Sequence, residues 1–200
     1  MELGLRKLYS VTIDRSKFRE RFTRYAVFVA PLFFWGREPW VAGLVVVLLG
    51  VLIRAWAAGY LHKDQAHAVR GPYLFVRHPL YLGSCLLALG FILALHHWLL
   101  TLVLGGLTAA VYAHTIRHEE SNLLKRFGAS YRKHMALAGA LWPKPAGLKQ
   151  LLTSRKAWGG FSVRQYMKNR EYECLLGVLA ILAYMLLSHR YPHLLKNLFR

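Results

Sequence analysis

Long apolar runs alternate along the chain with short polar and basic connections. Trp40–Tyr60 is apolar almost throughout and carries aromatic residues at both ends, which predicts a membrane-spanning helix. Arg54 lies about two turns from its end, within snorkelling reach of the interface. Leu80–Leu95 and Trp98–Thr115 predict two further spans with only His96-His97 around their junction, so they read as an antiparallel hairpin. Gly83 and Gly90 on one arm, with Gly105, Gly106 and Ala109 on the other, predict a close approach of those two helices. Tyr25–Trp35, interrupted by Pro31, and Cys174–Leu187 are shorter than the roughly 20 residues a span takes, so both are expected to be tilted or partial spans. Phe18 and Phe22, spaced i,i+4 in the basic segment 1–24, suggest an interfacial amphipathic helix. The fourth span is expected to continue past the membrane, because Leu123, Phe127 and Tyr131 keep the helical spacing, with Gly128 as a stop. Ser162-Val163-Arg164-Gln165 fits a capping box and predicts a helix through Tyr166 and Tyr172 into the last apolar run.

Composition agrees with this pattern. The 200 residues are 56% hydrophobic, which points to an all-α polytopic integral membrane protein of about five transmembrane helices, folded as one membrane domain over 1–200. The formal charge is +18, from 27 Lys and Arg against 9 Asp and Glu. These basic residues sit at the ends of apolar runs, which suits membrane lipids as partners and argues against nucleic acid. The basic segments 1–24, 61–79 and 116–173 alternate with the nearly uncharged turns 36–39 and 96–97, so the former and the N-terminus are expected on the cytoplasmic side. Five spans put the C-terminus outside, and four put it inside. Cys85 and Cys174 both fall in apolar runs and read as small core residues. No signal-peptide pattern follows the basic N-terminus, and no cleaved signal is expected.

This topology brings two polar segments to the same side of the membrane. Gly71–Gly83 holds Tyr73, Arg77, His78, Pro79 and Tyr81 where an apolar run begins. Arg117-His118-Glu119-Glu120 lies where the fourth span leaves the membrane. Glu119 shares a helix face with Thr115 and Leu123 and has no basic residue at i±3 or i±4, whereas Glu120 has Arg117 at i−3. Both carboxylates read either as surface groups or, for Glu119, as a site facing the bundle. His78-Pro79 reads either as a helix start or as part of that site. The His, Cys, Asp and Glu spacings suggest no metal site, and no phosphate loop, serine elbow or soluble dinucleotide motif occurs.

The ordered set Gly71-x-Tyr73-x-x-x-Arg77-His78-Pro79-x-Tyr81-x-Gly83, Glu119-Glu120-x-x-Leu123, Phe127-Gly128-x-x-Tyr131 and Leu141-Trp142-Pro143 resembles the integral-membrane methyltransferases. These include isoprenylcysteine carboxyl methyltransferase and the phospholipid methyltransferases. The resemblance spans about residues 60–145, a methyltransferase core, and leaves 146–200 as an extension with the last apolar helix. It implies S-adenosylmethionine as methyl donor, a cofactor site on the cytoplasmic side and a lipophilic acceptor. That acceptor is an isoprenylcysteine-like carboxylate or other small lipid, or alternatively a phosphatidylethanolamine-type amine. Carried over by position, Gln65, Ala66, His67, Ala68, Tyr73, His78, Pro79, Leu80, Tyr81 and Glu120 are implied cofactor contacts. Glu119 and His78 are implied catalytic groups, and Glu119 with Arg117 would meet the acceptor. Isoprenylcysteine-type members tend to carry an Arg one turn before the Glu pair, where this chain has Thr115 and its nearest basic residue, Arg117, lies on a different face, a departure that bears on recognition of a substrate carboxylate.

Overall fold

The computed structural model describes residues 40–62, 68–94, 98–153 and 155–191. The expected N-terminal amphipathic helix, the Tyr25–Trp35 run, the 36–39 turn and the His96-His97 turn lie outside the described residues. The order is α1 Val41–Ala58, a 3-10 turn Gly71–Leu74, α2 Pro79–Ala94, α3 Trp98–Leu137, α4 Pro145–Thr153, α5 Arg155–Trp158, α6 Val163–Lys168 and α7 Glu171–Arg190. No strand occurs among the described residues. Pro39–Leu176 forms one compact unit, and from Gly177 onward α7 belongs to another.

Among the described residues two helices are long and apolar enough to cross a bilayer, α1 with 18 residues and α7 with 20, while the apolar α2 is shorter. Large apolar side chains stand exposed on α1 (Val45, Leu48, Leu49, Leu52) and α3 (Leu102, Val103, Leu107). Contiguous apolar faces of this kind mark contact with lipid.

The tightest helix pair is α1 against α2. A Cβ at Gly50 would lie 2.8 Å from the Gly83 carbonyl oxygen, and one at Gly43 would lie 2.7 Å from the Gly90 carbonyl oxygen. The two helices are therefore antiparallel, in backbone contact along a seam of glycines seven residues apart. This corrects the expected partner of Gly83 and Gly90, which face α1. Gly105 and Gly106 on α3 have open space where a side chain would stand. Opposite outcomes are expected for one substitution at two sites. Gly50→Ala should destabilise by about 1–3 kcal/mol through overpacking, while Gly105→Ala should stabilise by about 0.5–1 kcal/mol through helix propensity. Thermal unfolding in detergent measures both, and equal responses would refute the seam.

Gly128 (φ 50°, ψ −120°) leaves helical geometry and so stops the first stretch of α3, as expected, and a second helical stretch follows to Leu137. A later boundary differs from expectation. Ser162 Oγ accepts from the Gln165 N–H and caps α6, but this helix does not run into the last apolar segment. It closes at Asn169, Arg170 takes a left-handed φ of 59°, and α7 starts afresh at Glu171. The reason lies at the end of α1, whose last carbonyls lack intrahelical donors. The Gln165 side chain donates to the Leu61 carbonyl, and the Asn169 side chain donates to the carbonyls of Ala58 and Leu61.

Candidate active site

The segment Phe75–His78 is stitched by its backbone to the chain that follows α3. Arg77 N–H donates to the Gly139 carbonyl (2.7 Å) and His78 N–H to that of Ala140 (3.1 Å). The Phe75 carbonyl accepts from Gly139 N–H and Lys144 N–H, both at 3.2 Å. Pro79 then opens α2, and the His78 carbonyl takes its first helical bond, from Leu82 N–H (2.9 Å).

Side chains complete the junction. Arg77 donates through Nε (2.9 Å) and Nη2 (2.5 Å) to Glu120 Oε1, and through Nη1 to the carbonyls of Met135 and Ala138. His78 Nε2 lies 3.3 Å from the same Glu120 oxygen. His78 is 5% exposed, and burial holds its pKa below the usual histidine value, against the opposing pull of Glu119 and Glu120. The neutral ring donates Nε2–H to Glu120 and leaves Nδ1 as an acceptor. Its face stacks on Tyr81 (centroids 5.6 Å, 17°), and Tyr81 in turn leans on Tyr112.

Tyr73 is buried with Ala57 and Tyr60, and Ala68 and Leu80 pack against that cluster. Its carbonyl accepts from buried His134 Nε2 (2.7 Å). Its hydroxyl is buried and has no hydrogen-bond partner among the described residues. Burial, followed by the charge of Glu119, pushes the Tyr73 pKa well above the ordinary phenol value. Tyr131, 1% exposed, is pushed up to about 12, chiefly by burial.

The structure thus brings Ala68, Tyr73, His78, Pro79, Leu80, Tyr81 and Glu120 around one loop. Glu120 is joined to Arg77 and His78, not to Arg117, which stands exposed. Glu119 is half-buried, and among the described residues it makes no hydrogen bond or ion pair. Gln65, Ala66 and His67 lie outside the described residues.

Sequence reasoning missed a second arginine at this end of α1. Arg54 does not snorkel to water. Its Nε and Nη2 grip both oxygens of Glu171 at 2.8–3.0 Å, and Nη1 reaches the Leu80 carbonyl and Ser84 Oγ. Each guanidinium nitrogen therefore has an acceptor. A charged residue within an apolar run was the available signal. The partner, 117 positions away, was not.

Comparison with curated proteins and with solved structures gave no match. Residues 39–130 match the family model described as phospholipid methyltransferase, a stretch that contains α1, the Arg77-His78-Pro79 loop, α2 and Glu119-Glu120. Over residues 39–130, a little under half of its length, the chain is thus similar to the phospholipid methyltransferases.

Proposed function

We propose that the chain transfers a methyl group from S-adenosylmethionine to the amine of a phospholipid-type acceptor at the cytoplasmic membrane face. The chain would be one membrane domain of about five spans, with its core at 60–145. The observation that carries the acceptor class is a charge balance. Among the described residues Arg54 is spent on Glu171 and Arg77 on Glu120, while the Glu119 carboxylate makes no hydrogen bond or ion pair. An amine finds a partner here, and an acceptor carboxylate does not. The family match points the same way, which favours the amine over the isoprenylcysteine-like acceptor.

The residues present fit the methyl donor. The stacked His78 and Tyr81 rings offer aromatic faces to a cation or an adenine. The buried Tyr73 hydroxyl has hydrogen-bonding capacity to spare. S-adenosylmethionine, when bound, supplies a methyl group already activated on a sulfonium. The protein's own work is positioning, exclusion of water and custody of one proton. Glu119 takes the proton that an ammonium headgroup must lose before its nitrogen can attack. Glu120 and Arg77 hold His78 in place from below.

The test is titration of S-adenosylmethionine into detergent-purified protein, followed by labelled-methyl transfer to phosphatidylethanolamine. Wild type is expected to bind in the micromolar range, and His78→Ala about tenfold more weakly, the equivalent of one good hydrogen bond to a polar group. Absence of binding by wild type would sink the proposal. Equal affinity in His78→Ala would remove His78 from the cofactor wall.

A further inference from the structure

From residue 121 to residue 170 the chain has eleven Lys and Arg and no Asp or Glu. Much of this segment lies beyond the family match, which ends at 130. Its short helices α4 and α6 show the same lateral arrangement. On α4 the inward side is formed by buried Gly147 and Leu151, while Leu148 and Leu152 are exposed beside exposed Lys149. On α6 the inward side is formed by Gln165, while Val163 and Met167 are exposed beside exposed Arg164 and Lys168. Each helix thus presents an i,i+4 apolar line, with one basic residue (Lys149) beside it on α4 and a basic i,i+4 pair (Arg164, Lys168) beside it on α6. Trp158 and Phe161, also exposed, stand between the two helices in sequence.

The depth of this segment is set by α1. Trp158 stacks on Trp56 (centroids 5.9 Å), Ser162 N–H donates to the Gly59 carbonyl, and Asn169 caps the carbonyls of Ala58 and Leu61. α4–α6 are therefore anchored where the apolar helix α1 ends, at the boundary between hydrocarbon and water.

We infer that the outward faces of α4 and α6 form an anionic-lipid docking surface. On it, Leu148, Leu152, Val163 and Met167 enter the acyl boundary, and Lys149, Arg164 and Lys168 engage acidic headgroups. Charge selects this occupant over others. A second copy of the chain would set basic face against basic face. A nucleic acid would satisfy the cations and leave the apolar lines in water. An acidic leaflet satisfies both at once. The inference concerns residues outside the reacting centre and holds whether or not the acceptor is an amine.

The full chain is placed in nanodiscs of phosphatidylcholine containing an equal fraction of brominated phosphatidylglycerol or brominated phosphatidylcholine. Quenching of Trp158 is read as the difference between wild type and Trp158→Phe. Brominated phosphatidylglycerol should quench the more strongly, with about tenfold local enrichment of the acidic lipid. Raising the salt to about 1 M should remove that preference by screening, and so should the combined variant Lys149→Glu/Arg164→Glu/Lys168→Glu. All three substitutions are at exposed positions. Equal quenching by the two lipids, or a preference that survives the triple reversal, would overturn the inference. Displacement of the acidic lipid by a single-stranded RNA at low salt would assign the surface to nucleic acid and overturn it equally.

Discussion

Glu119→Gln is expected to lower methyl transfer by about two to four orders of magnitude, the usual worth of a positioned proton acceptor. S-adenosylmethionine binding should stay within a few-fold of wild type. Gln keeps the shape and one acceptor oxygen but cannot take a proton. Its neighbour supplies the control. Glu120 is tied to Arg77 through Nε and Nη2 and to His78 Nε2, so Glu120→Gln takes a charge from a satisfied junction. That variant should lose thermal stability first and activity only as a consequence. On the proposed reading, adjacent carboxylates on one helix would take different jobs, because among the described residues Glu120 has hydrogen bonds supplied by protein and Glu119 has none. Labelled-methyl assays with thermal unfolding of both variants decide the matter. Full turnover in Glu119→Gln would place the proton elsewhere.

The second large effect concerns stability. Arg54→Met leaves the Glu171 carboxylate, only 12% exposed, without its bidentate partner. Removing one member of such a pair costs about 3–5 kcal/mol, because an uncompensated charge stays buried. Glu171→Leu is expected to cost as much from the other side. The double variant Arg54→Met/Glu171→Leu should recover most of the loss, since no buried charge then remains. Unfolding midpoints in one detergent supply the full cycle. A double variant no better than the worse single would mean the two groups do not act as a unit. The pair matters beyond its energy. It ties the start of α7, outside the family-matched stretch, to α1 and to the first turns of α2 at Leu80 and Ser84.

Much of the frame was legible in the sequence. The apolar run at Trp40–Tyr60 announces α1, and Pro79 marks the first turn of α2. The Ser162 cap was readable too, because capping is a local contest between a side chain and backbone N–H groups three residues away. The length of α6 was not. Gln165 and Asn169 are drawn to the open carbonyls at the end of α1, more than 100 positions back in the chain. Gly83 and Gly90 were recognisable as a close-packing face, but their partner could not be named. A glycine stripe says that backbones touch, and it is the arrangement of helices that says which.

The sequence by itself determined the all-helical, apolar character of the chain and the approximate place of most described helices, and it singled out the loop and the carboxylates of the candidate site. These follow from hydropathy, periodicity and motif spacing, all of which act within a few helical turns. Only the tertiary structure decided that Glu120 belongs to Arg77 and Glu171 to Arg54, leaving Glu119 without an ion-pair partner among the described residues. With 27 Lys and Arg against 9 Asp and Glu, each carboxylate has many possible cations. Which one it takes depends on which helices pack, and that is settled by burial and backbone contact across distances the local pattern does not encode.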